Sequence, residues 1–469
     1  MTAADQSLDN HSTIHFIGIG GAGMSAIAHI LLDRGYQVSG SDVVEQEYTR
    51  KLQRHGATVW IGHQAKNVAA ADLVVYSTAV NGDNPELQAA REAGLPVLHR
   101  SEMLAMLMAQ GKGIAVAGAH GKTTTTSMIA FVLTRAGLDP SFLVGGVVAN
   151  LDTGAHAGKG DCIVAEADES DGSFLNYRPH IAVITNIEAD HLEHYGGDFQ
   201  RLQAAYEQFA RLLDATGLLV TCIDDLHVQT LLQRVRVTHV GYSLEDPEAA
   251  LYATVEELSA TGSRSRIYRE GVLVGELKLN IAGRHNVGNA LAAIAVATAV
   301  GVSFAAIAQA LAEFRGALRR FQTVYDDPAE GVTVVDDYAH HPTEIRAAIR
   351  AMKADGRRLI AVFQPQRYTR TFHLFDEFAQ AFGEADDVVI SDIYSPVGET
   401  VIAGVNSERL CSLIRDRSNG RAVYCPNLDD VVAHLKTCVQ PGDLILTMGA
   451  GDIWRAGREF AKWHESRAR

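Results

Sequence analysis

Basic charge is what this 469-residue chain lacks most: 41 Lys and Arg stand against 56 Asp and Glu, a formal net charge of -15. That balance excludes a general nucleic-acid surface, which needs clustered Lys and Arg to displace counterions from phosphates, and leaves room for small anions at local positive sites. Cysteine is scarce too. The five (Cys162, Cys222, Cys411, Cys425, Cys438) are an odd number without a C-x-x-C pair, which fits neither a disulfide framework nor a zinc ribbon and suits a reducing compartment. No apolar run approaches the roughly 18 residues of a membrane span. The first dozen residues are polar and acidic, without the basic start and apolar middle of a secretory signal. A cytoplasmic protein with no nucleic-acid or membrane partner is expected. Internal repeats and low-complexity tracts are also missing.

What is present is an ordinary globular composition, 47% hydrophobic and 21% charged, sufficient for a large core. The length exceeds what one core organises, so three domains are expected. Short apolar runs ending in Gly or polar loops alternate with helix-length segments, which predicts an α/β protein whose parallel sheets are built from βαβ units. Ile14 to Ile19 as a strand, Met24 to Arg34 as a helix, and Gln37 to Ser41 as a strand ending at Asp42 make one Rossmann-like unit. Strand-like Leu73 to Ser77 and Val97 to Leu98 and a helix around Glu102 to Gln110 follow, before Gly111-Lys112-Gly113 breaks the pattern. Ile114 to Ala117, a Gly-rich turn and a helix from Lys122 open a nucleotide-binding sheet, continued by Cys162 to Ala165 and Ile181 to Thr185. After Ala290 to Val300 and Phe304 to Phe314 the composition resets at Arg319-Arg320-Phe321, and Val332 to Val335, Leu359 to Phe363, Asp387 to Ile390 and Leu444 to Leu446 alternate with helical segments. The expected domains are residues 1–108, Rossmann-like; 109–315, a central P-loop-type ATPase sheet; and 316–469, a second Rossmann-like domain.

Gly118-Ala119-His120-Gly121-Lys122-Thr123 stands between a strand and a helix and resembles a P-loop, shortened because Val116 occupies the place of the first glycine. Backbone N–H groups of such a loop surround phosphate oxygens, the Lys ammonium reaches the β/γ-phosphates, and the Thr hydroxyl coordinates Mg²⁺. The bland reading is a glycine turn opening an ordinary helix. Gly18-Ile19-Gly20-Gly21-Ala22-Gly23 satisfies G-x-G-x-x-G, with Asp42 ending the next strand. By itself this motif fits a nicotinamide dinucleotide, another diphosphate such as a UDP-sugar, or a tight turn. A second, triphosphate-type loop favours an ATP-driven enzyme acting on a nucleotide-linked substrate over a dehydrogenase.

Glu166-Ala167-Asp168-Glu169-Ser170-Asp171-Gly172 places carboxylates after a central strand, where hard Mg²⁺ binds oxygen, or where a solvated acidic loop lies. Thr185 to His194 holds His191 and His194 three apart; one His completing a Mg²⁺ site is favoured over zinc, with a packed or capping His as the alternative. Asp336 to Glu344 follows a strand, and its adjacent His340 and His341 diverge on a helix, one facing substrate and one structural. Arg367 and Arg370 at another strand end suit a carboxylate, although surface arginines are common.

These motifs, in this order, together with Gly283-Arg284-His285-Asn286-Val287-Gly288-Asn289-Ala290, resemble the Mur ligases from about residue 14 to 455. The resemblance implies ATP and Mg²⁺ as cofactors and UDP-N-acetylmuramate and L-alanine as small-molecule substrates, with a recycling relative that attaches a preformed peptide as the nearest alternative. An NAD-dependent oxidoreductase or nucleotide-sensing module is the alternative of a different class. The Mur ligase resemblance implies that Gly118, His120, Gly121, Lys122, Thr123 and Thr124 hold ATP phosphates. Asn286 and Asn289 belong to the adenine side, and Arg320 and Asp337 close onto phosphates and ribose. Thr123, Glu166 and His191 serve the metal, with Lys122, His191 and Arg320 catalytic. Gly18, Gly20, Gly21, Gly23, Asp42, Ser77 and Thr78 are assigned to the UDP substrate, and His340, Arg367 and Arg370 to the amino acid. A monomer or weak homodimer is expected, with the site completed by closure of the C-terminal domain. Ala119, Ala339, Gln366 and the segment Tyr394 to Glu399 depart from the family pattern and touch amino-acid preference rather than the phosphate machinery.

Overall fold

The alternation of apolar runs and helical segments builds three sheets in a computed structural model that describes residues 8, 11–77, 79–190, 192–259, 261–354, 356–395 and 399–468. The first sheet and the body of the second lie in one compact unit, through Thr254 with Ile267–Gly275 and Gly288–Leu311; the other comprises Val255–Arg266, Glu276–Val287 and Ala312–Arg469.

The first sheet contains β1 (Thr13–Ile17), β2 (Gln37–Asp42), β3 (Thr58–Ile61), β4 (Leu73–Tyr76) and β5 (Val97–His99), all parallel in the order β3-β2-β1-β4-β5. Side chains alternate across it. Ile14, Phe16, Leu73 and Val75 enter one apolar cluster, and Ile17 and Val74 enter another with Leu87 and Ala90. Both faces are covered, as a parallel sheet requires. The first strand stops at Ile17 rather than Ile19 because Gly18 turns the chain at φ +80°.

The second sheet contains β6 (Lys112–Ala117), β7 (Ser141–Val148), β8 (Thr153–His156), β9 (Cys162–Glu166), β10 (Ile181–Ile184), β11 (Leu218–Cys222), β12 (His239–Ser243), β13 (Leu251–Ser259), β14 (Gly262–Arg269) and β15 (Val272–Leu279). Its order is β15-β14-β13-β12-β11-β10-β6-β9-β7-β8, so β6 sits in the interior between β10 and β9.

The third sheet joins β16 (Gln322–Asp327), β17 (Val332–Asp337), β18 (Leu359–Phe363), β19 (Asp387–Ile390), β20 (Ala422–Tyr424) and β21 (Leu444–Met448) in the order β16-β17-β21-β18-β19-β20. From β17 to β20 every pairing is parallel. The expectation of parallel sheets needs correction at three edges: β7–β8 and β16–β17 are antiparallel, and β13, β14 and β15, joined by links too short for a parallel crossover, form an antiparallel meander. A two-residue period without a following helix marks such hairpins. No helix among the described residues is long and apolar enough to cross a membrane.

Candidate functional site

The central loop inherits its position from β6. Register pairs Ala117 with Ile184 of β10 and Val116 with Glu166 of β9, so the chain leaving β6 at Gly118 runs between the ends of two neighbouring parallel strands. Gly118 has φ +133°, and a Cβ there would collide with Thr185 Oγ1. Gly121, at φ +83°, precedes the helix Lys122–Arg135 without a side-chain cap, and a Cβ on it would come 2.6 Å from Asn289 Oδ1. Glycine is therefore required twice within four residues. The uncapped helix N-terminus leaves backbone donors directed outward, which is the chemistry of an anion cradle.

Asn186 locks this loop. Its Oδ1 accepts from His120 N at 2.9 Å, and its Nδ2 donates to His120 O at 2.9 Å, while Thr185 Oγ1 donates to the same carbonyl at 2.6 Å. His120 Nε2 lies 3.2 Å from Glu188 Oε2. Thr125 Oγ1 donates to Asn289 Oδ1 at 3.2 Å, so Asn289 buttresses the loop from behind.

Lys122 Nζ donates to Gly118 O at 2.6 Å and to Glu169 Oε1 and Oε2 at 2.8 and 2.9 Å. Burial alone would push the Lys122 ammonium down, but the charge and hydrogen bonds of Glu169, with Asp168 and Glu166 behind, hold it above its ordinary value. Lys122 is thus a fixed cation beside the cradle. Glu169 is 1% exposed, and its own carbonyl accepts from Tyr195 Oη at 2.6 Å. Glu166, at the tip of β9, accepts from Gly145 N at 2.6 Å. Thr123 and Thr124 occupy the helix's first turn. The hydroxyl of Thr123 and the carboxylate of Glu166 are the hard oxygens a Mg²⁺ ion takes, and glycines stand where phosphates need close approach. The donor set fits both groups. His191 and Thr78 lie outside the described residues; His194 packs its ring against Gly172, where a Cβ would be 2.6 Å from Nε2.

The first glycine loop is built differently. Gly18 N donates to Ser41 O at 2.8 Å, and Gly20 N to Asp42 Oδ2 at 2.9 Å. A Cβ on Gly20 would sit 2.5 Å from Gln46 Nε2 and 2.8 Å from Asp42 Oδ2. Gly21 precedes the helix Ala22–Asp33, again with no side-chain cap, and Gly23 lies in its first turn. Asp42 therefore pins the loop, and Val44 N lies 3.3 Å from its other oxygen. Ser77 follows β4 at the same sheet edge. Beneath them Glu86 is completely buried. Burial would raise its pKa, but hydrogen bonds with His15, Ser41 and Asn67 hold the carboxyl down to about 2.

In the C-terminal sheet, Asp337 and Phe363 both pair with Met448, and Phe363 with Ile390, so β17, β21, β18 and β19 end at one level. Tyr338 to His341 and Gln364 to Arg370 leave from that edge. Asp337 accepts from Phe321 N at 2.9 Å and Ala339 N at 2.7 Å; burial pushes its carboxyl up to about 6 against the pull of Arg320. It fastens the Arg319-Arg320-Phe321 turn to the sheet. Both guanidiniums of that turn lie over the Tyr338 ring, 5.1 and 5.0 Å from its centre. Arg319 Nε also donates to Asp336 Oδ2 at 3.1 Å. Arg320 Nη1 stands 3.7 Å from Glu344 Oε1.

Of the paired histidines, His341 caps the helix Pro342–Lys353 in a reciprocal arrangement with Glu344. It closes the N-terminus of that helix. His340 Nδ1 faces Tyr338 O at 2.9 Å; burial first, then Arg370 and Arg320, push its imidazole down to about 4 although Glu344 opposes them. His340 and Arg370 are thereby brought together. Arg370 Nη1 donates to Gln366 Oε1 at 3.3 Å, and Arg367 heads its helix at φ +67°, ψ 132°, a conformation that penalises every residue except glycine. Asn286, in the C-terminal unit, donates to Ala282 O at 2.6 Å.

Sequence reasoning grouped Glu169 with the metal carboxylates, whereas it pairs with Lys122, and assigned no role to Asn186, Arg319 and Tyr338. Asn186 and Tyr338 directly follow strands that feed these sites, and strand-end position was the available signal.

Three family models cover the chain: Mur ligase family, catalytic domain, over residues 13–112; Mur ligase middle domain over 116–297; and Mur ligase, glutamate ligase domain, over 319–451. The chain is 47% identical over 456 residues to a UDP-N-acetylmuramate--L-alanine ligase of Pelotomaculum thermopropionicum, covering 97% of this chain and 98% of that one. A Geobacter sulfurreducens protein of the same name is also 47% identical, with 97% and 98% covered. Among solved structures, the UDP-N-acetylmuramate-alanine ligase of Thermotoga maritima superimposes with a TM-score of 0.76 at 32% identity, covering 97% of this chain and 99% of that one. A murein peptide ligase of Psychrobacter arcticus reaches 0.65 at 28%, with 96% and 98% covered. With its three sheets matched model by model and relatives similar along nearly its whole length, the chain belongs to the Mur ligase family.

Proposed function

We propose that this chain joins L-alanine to the lactyl carboxylate of UDP-N-acetylmuramate in an ATP-dependent reaction of cytoplasmic peptidoglycan precursor synthesis. The observation that carries the reading is the glycine cradle from Gly118 to Gly121, with Lys122 fixed beside it, in a chain similar throughout to ligases of that name. A carboxylate is anionic and has no good leaving group, so the γ-phosphoryl group must first pass to it, giving an acyl phosphate that the amine of L-alanine then displaces. The transfer needs charge neutralisation above all. Lys122 and Arg320 supply fixed positive charge. The backbone donors at the start of helix Lys122–Arg135 orient phosphate oxygens, with Asn186 holding the loop in shape. Mg²⁺, held by Thr123 and Glu166 with His191, would screen the same charge.

Residues 1–108 are assigned to the UDP substrate, through Gly18, Gly20, Gly21, Gly23, Asp42, Ser77 and Thr78. Residues 109–315 are assigned to ATP, and 316–469 to the amino acid, whose carboxylate meets Arg367, Arg370 and His340. The neutral imidazole of His340 adds no competing positive charge at neutral pH.

Phosphate release from ATP, measured with UDP-N-acetylmuramate and each of several amino acids, tests the reading. Release that requires both the nucleotide sugar and L-alanine is expected. Release with tripeptide and with no single amino acid would replace it by the recycling reaction.

A further inference from the structure

The β16–β17 hairpin turns through Asp326-Asp327-Pro328-Ala329-Glu330-Gly331, and the last helix, Trp454–Ala468, lays His464 on it. His464 is 7% exposed. Its Nδ1 is 3.1 Å from Tyr325 Oη and 3.8 Å from Asp327 Oδ2, and its Nε2 is 3.2 Å from Glu330 Oε2. Asp327, Glu330 and His464 each offer one ligand atom, and the three atoms lie within 4.8 Å of one another. Asp327 Oδ1 accepts from Ala329 N at 2.9 Å and Glu330 N at 3.4 Å, whereas Oδ2 is buried and answered only loosely, with His464 Nδ1 3.8 Å away and the Tyr325 hydroxyl beside the same carboxylate. Leaving a buried carboxylate oxygen unanswered is costly, the more so when it is charged. Glu465 adds further negative charge around Tyr325.

We propose that Asp327, Glu330 and His464 bind a divalent transition-metal ion of the zinc class. One imidazole nitrogen with two carboxylate oxygens is a donor set that zinc-class ions favour, whereas Mg²⁺ and Ca²⁺ prefer sets made chiefly of oxygen. Ligands at about 2.0–2.2 Å in a tetrahedron stand about 3.4 Å apart. The half-exposed Glu330 side chain has the freedom to swing in, and water completes the fourth position. When Nδ1–H donates to Tyr325 Oη, the Nε2 lone pair is turned toward Glu330, the outer-sphere arrangement that orients metal-bound histidines. The ion answers the buried Asp327 oxygen and staples the last helix to the edge hairpin.

The experiment uses the full chain, stripped with chelator and titrated in excess Mg²⁺ with Co²⁺, read by visible absorbance, and with Zn²⁺, read by calorimetry and melting temperature. One equivalent that Mg²⁺ does not displace is expected, with a raised melting temperature. Asp327→Asn and His464→Ala should each weaken binding at least tenfold while phosphate release from ATP is unchanged. Absence of a Mg²⁺-resistant equivalent, or equal binding by the parent chain and the near-isosteric Asp327→Asn, overturns the proposal, because a proton shared among these groups would then suffice.

Discussion

The two glycine loops share one design and differ in what restrains them. Each follows a parallel strand and opens a helix whose N-terminus has no side-chain cap, at Gly21 and Gly121. The first is pinned by an anion, Asp42 on Gly20 N–H, above the buried Glu86. The second is pinned by a neutral amide, Asn186, and carries the Lys122 ammonium, balanced by Glu169. The second loop thus carries a cation, paired with Glu169, where the proposed reaction would need charge at the transferring phosphate, while the first loop offers dipoles without a cation. A loop that only binds a diphosphate needs shape, whereas one that supports its transfer needs charge as well.

The largest test of this contrast is Lys122→Ala, expected to lower the rate of ATP-dependent phosphate release about 10³-fold. An unchanged KM for UDP-N-acetylmuramate should accompany it; a shift in that KM matching the rate loss would erase the distinction between the loops.

Next in size is the acid sensitivity of the first loop's foundation. Glu86 has a pKa held down from 4.5 to about 2. Its contribution to stability is present above about 4.5 and lost as pH falls through about 2, worth about 3 kcal/mol at neutral pH. Glu86→Gln should remove that amount from neutral-pH denaturant unfolding and flatten the acid limb. An acid limb of unaltered slope in the variant would show that the network is not the source.

Asp42→Ala removes the acceptor for Gly20 N–H and should raise the KM for the nucleotide sugar by about 10- to 100-fold, equivalent to roughly 1.5–3 kcal/mol, without altering that for ATP. Equal effects on both constants in steady-state assays would mean that the two loops are not independently restrained. The smallest effect is expected from Asn289→Ala, which deletes the bond from Thr125 behind the second loop: about 1 kcal/mol of stability, seen as a shifted denaturation midpoint.

Both loops were legible because their spacing, strand-before and helix-after context lie within about ten residues of sequence. Their restraints were less so. Asn186 reaches His120 across 66 residues and Glu169 reaches Lys122 across 47, contacts created only when β6 takes its place between β10 and β9. Asp42 was legible as the acid ending β2, but its hydrogen bond to the loop itself required the backbone conformation at Gly20. The edge strands β3 and β16 escaped notice, β3 because it is only four residues long and largely exposed, β16 because an edge position relaxes the hydrophobic demand that makes interior strands visible. Likewise, periodicity separates His340 from His341, while only the geometry says which one caps the helix.

The backbone at Arg367 carries a consequence for engineering. Any side chain there bears a conformational penalty of about 1–3 kcal/mol. Glycine would relieve it while discarding the guanidinium assigned to the amino-acid carboxylate. A library selected for heat resistance alone should accordingly drift toward glycine at this position and lose turnover as it does so, so that stability and catalysis pull one codon in opposite directions.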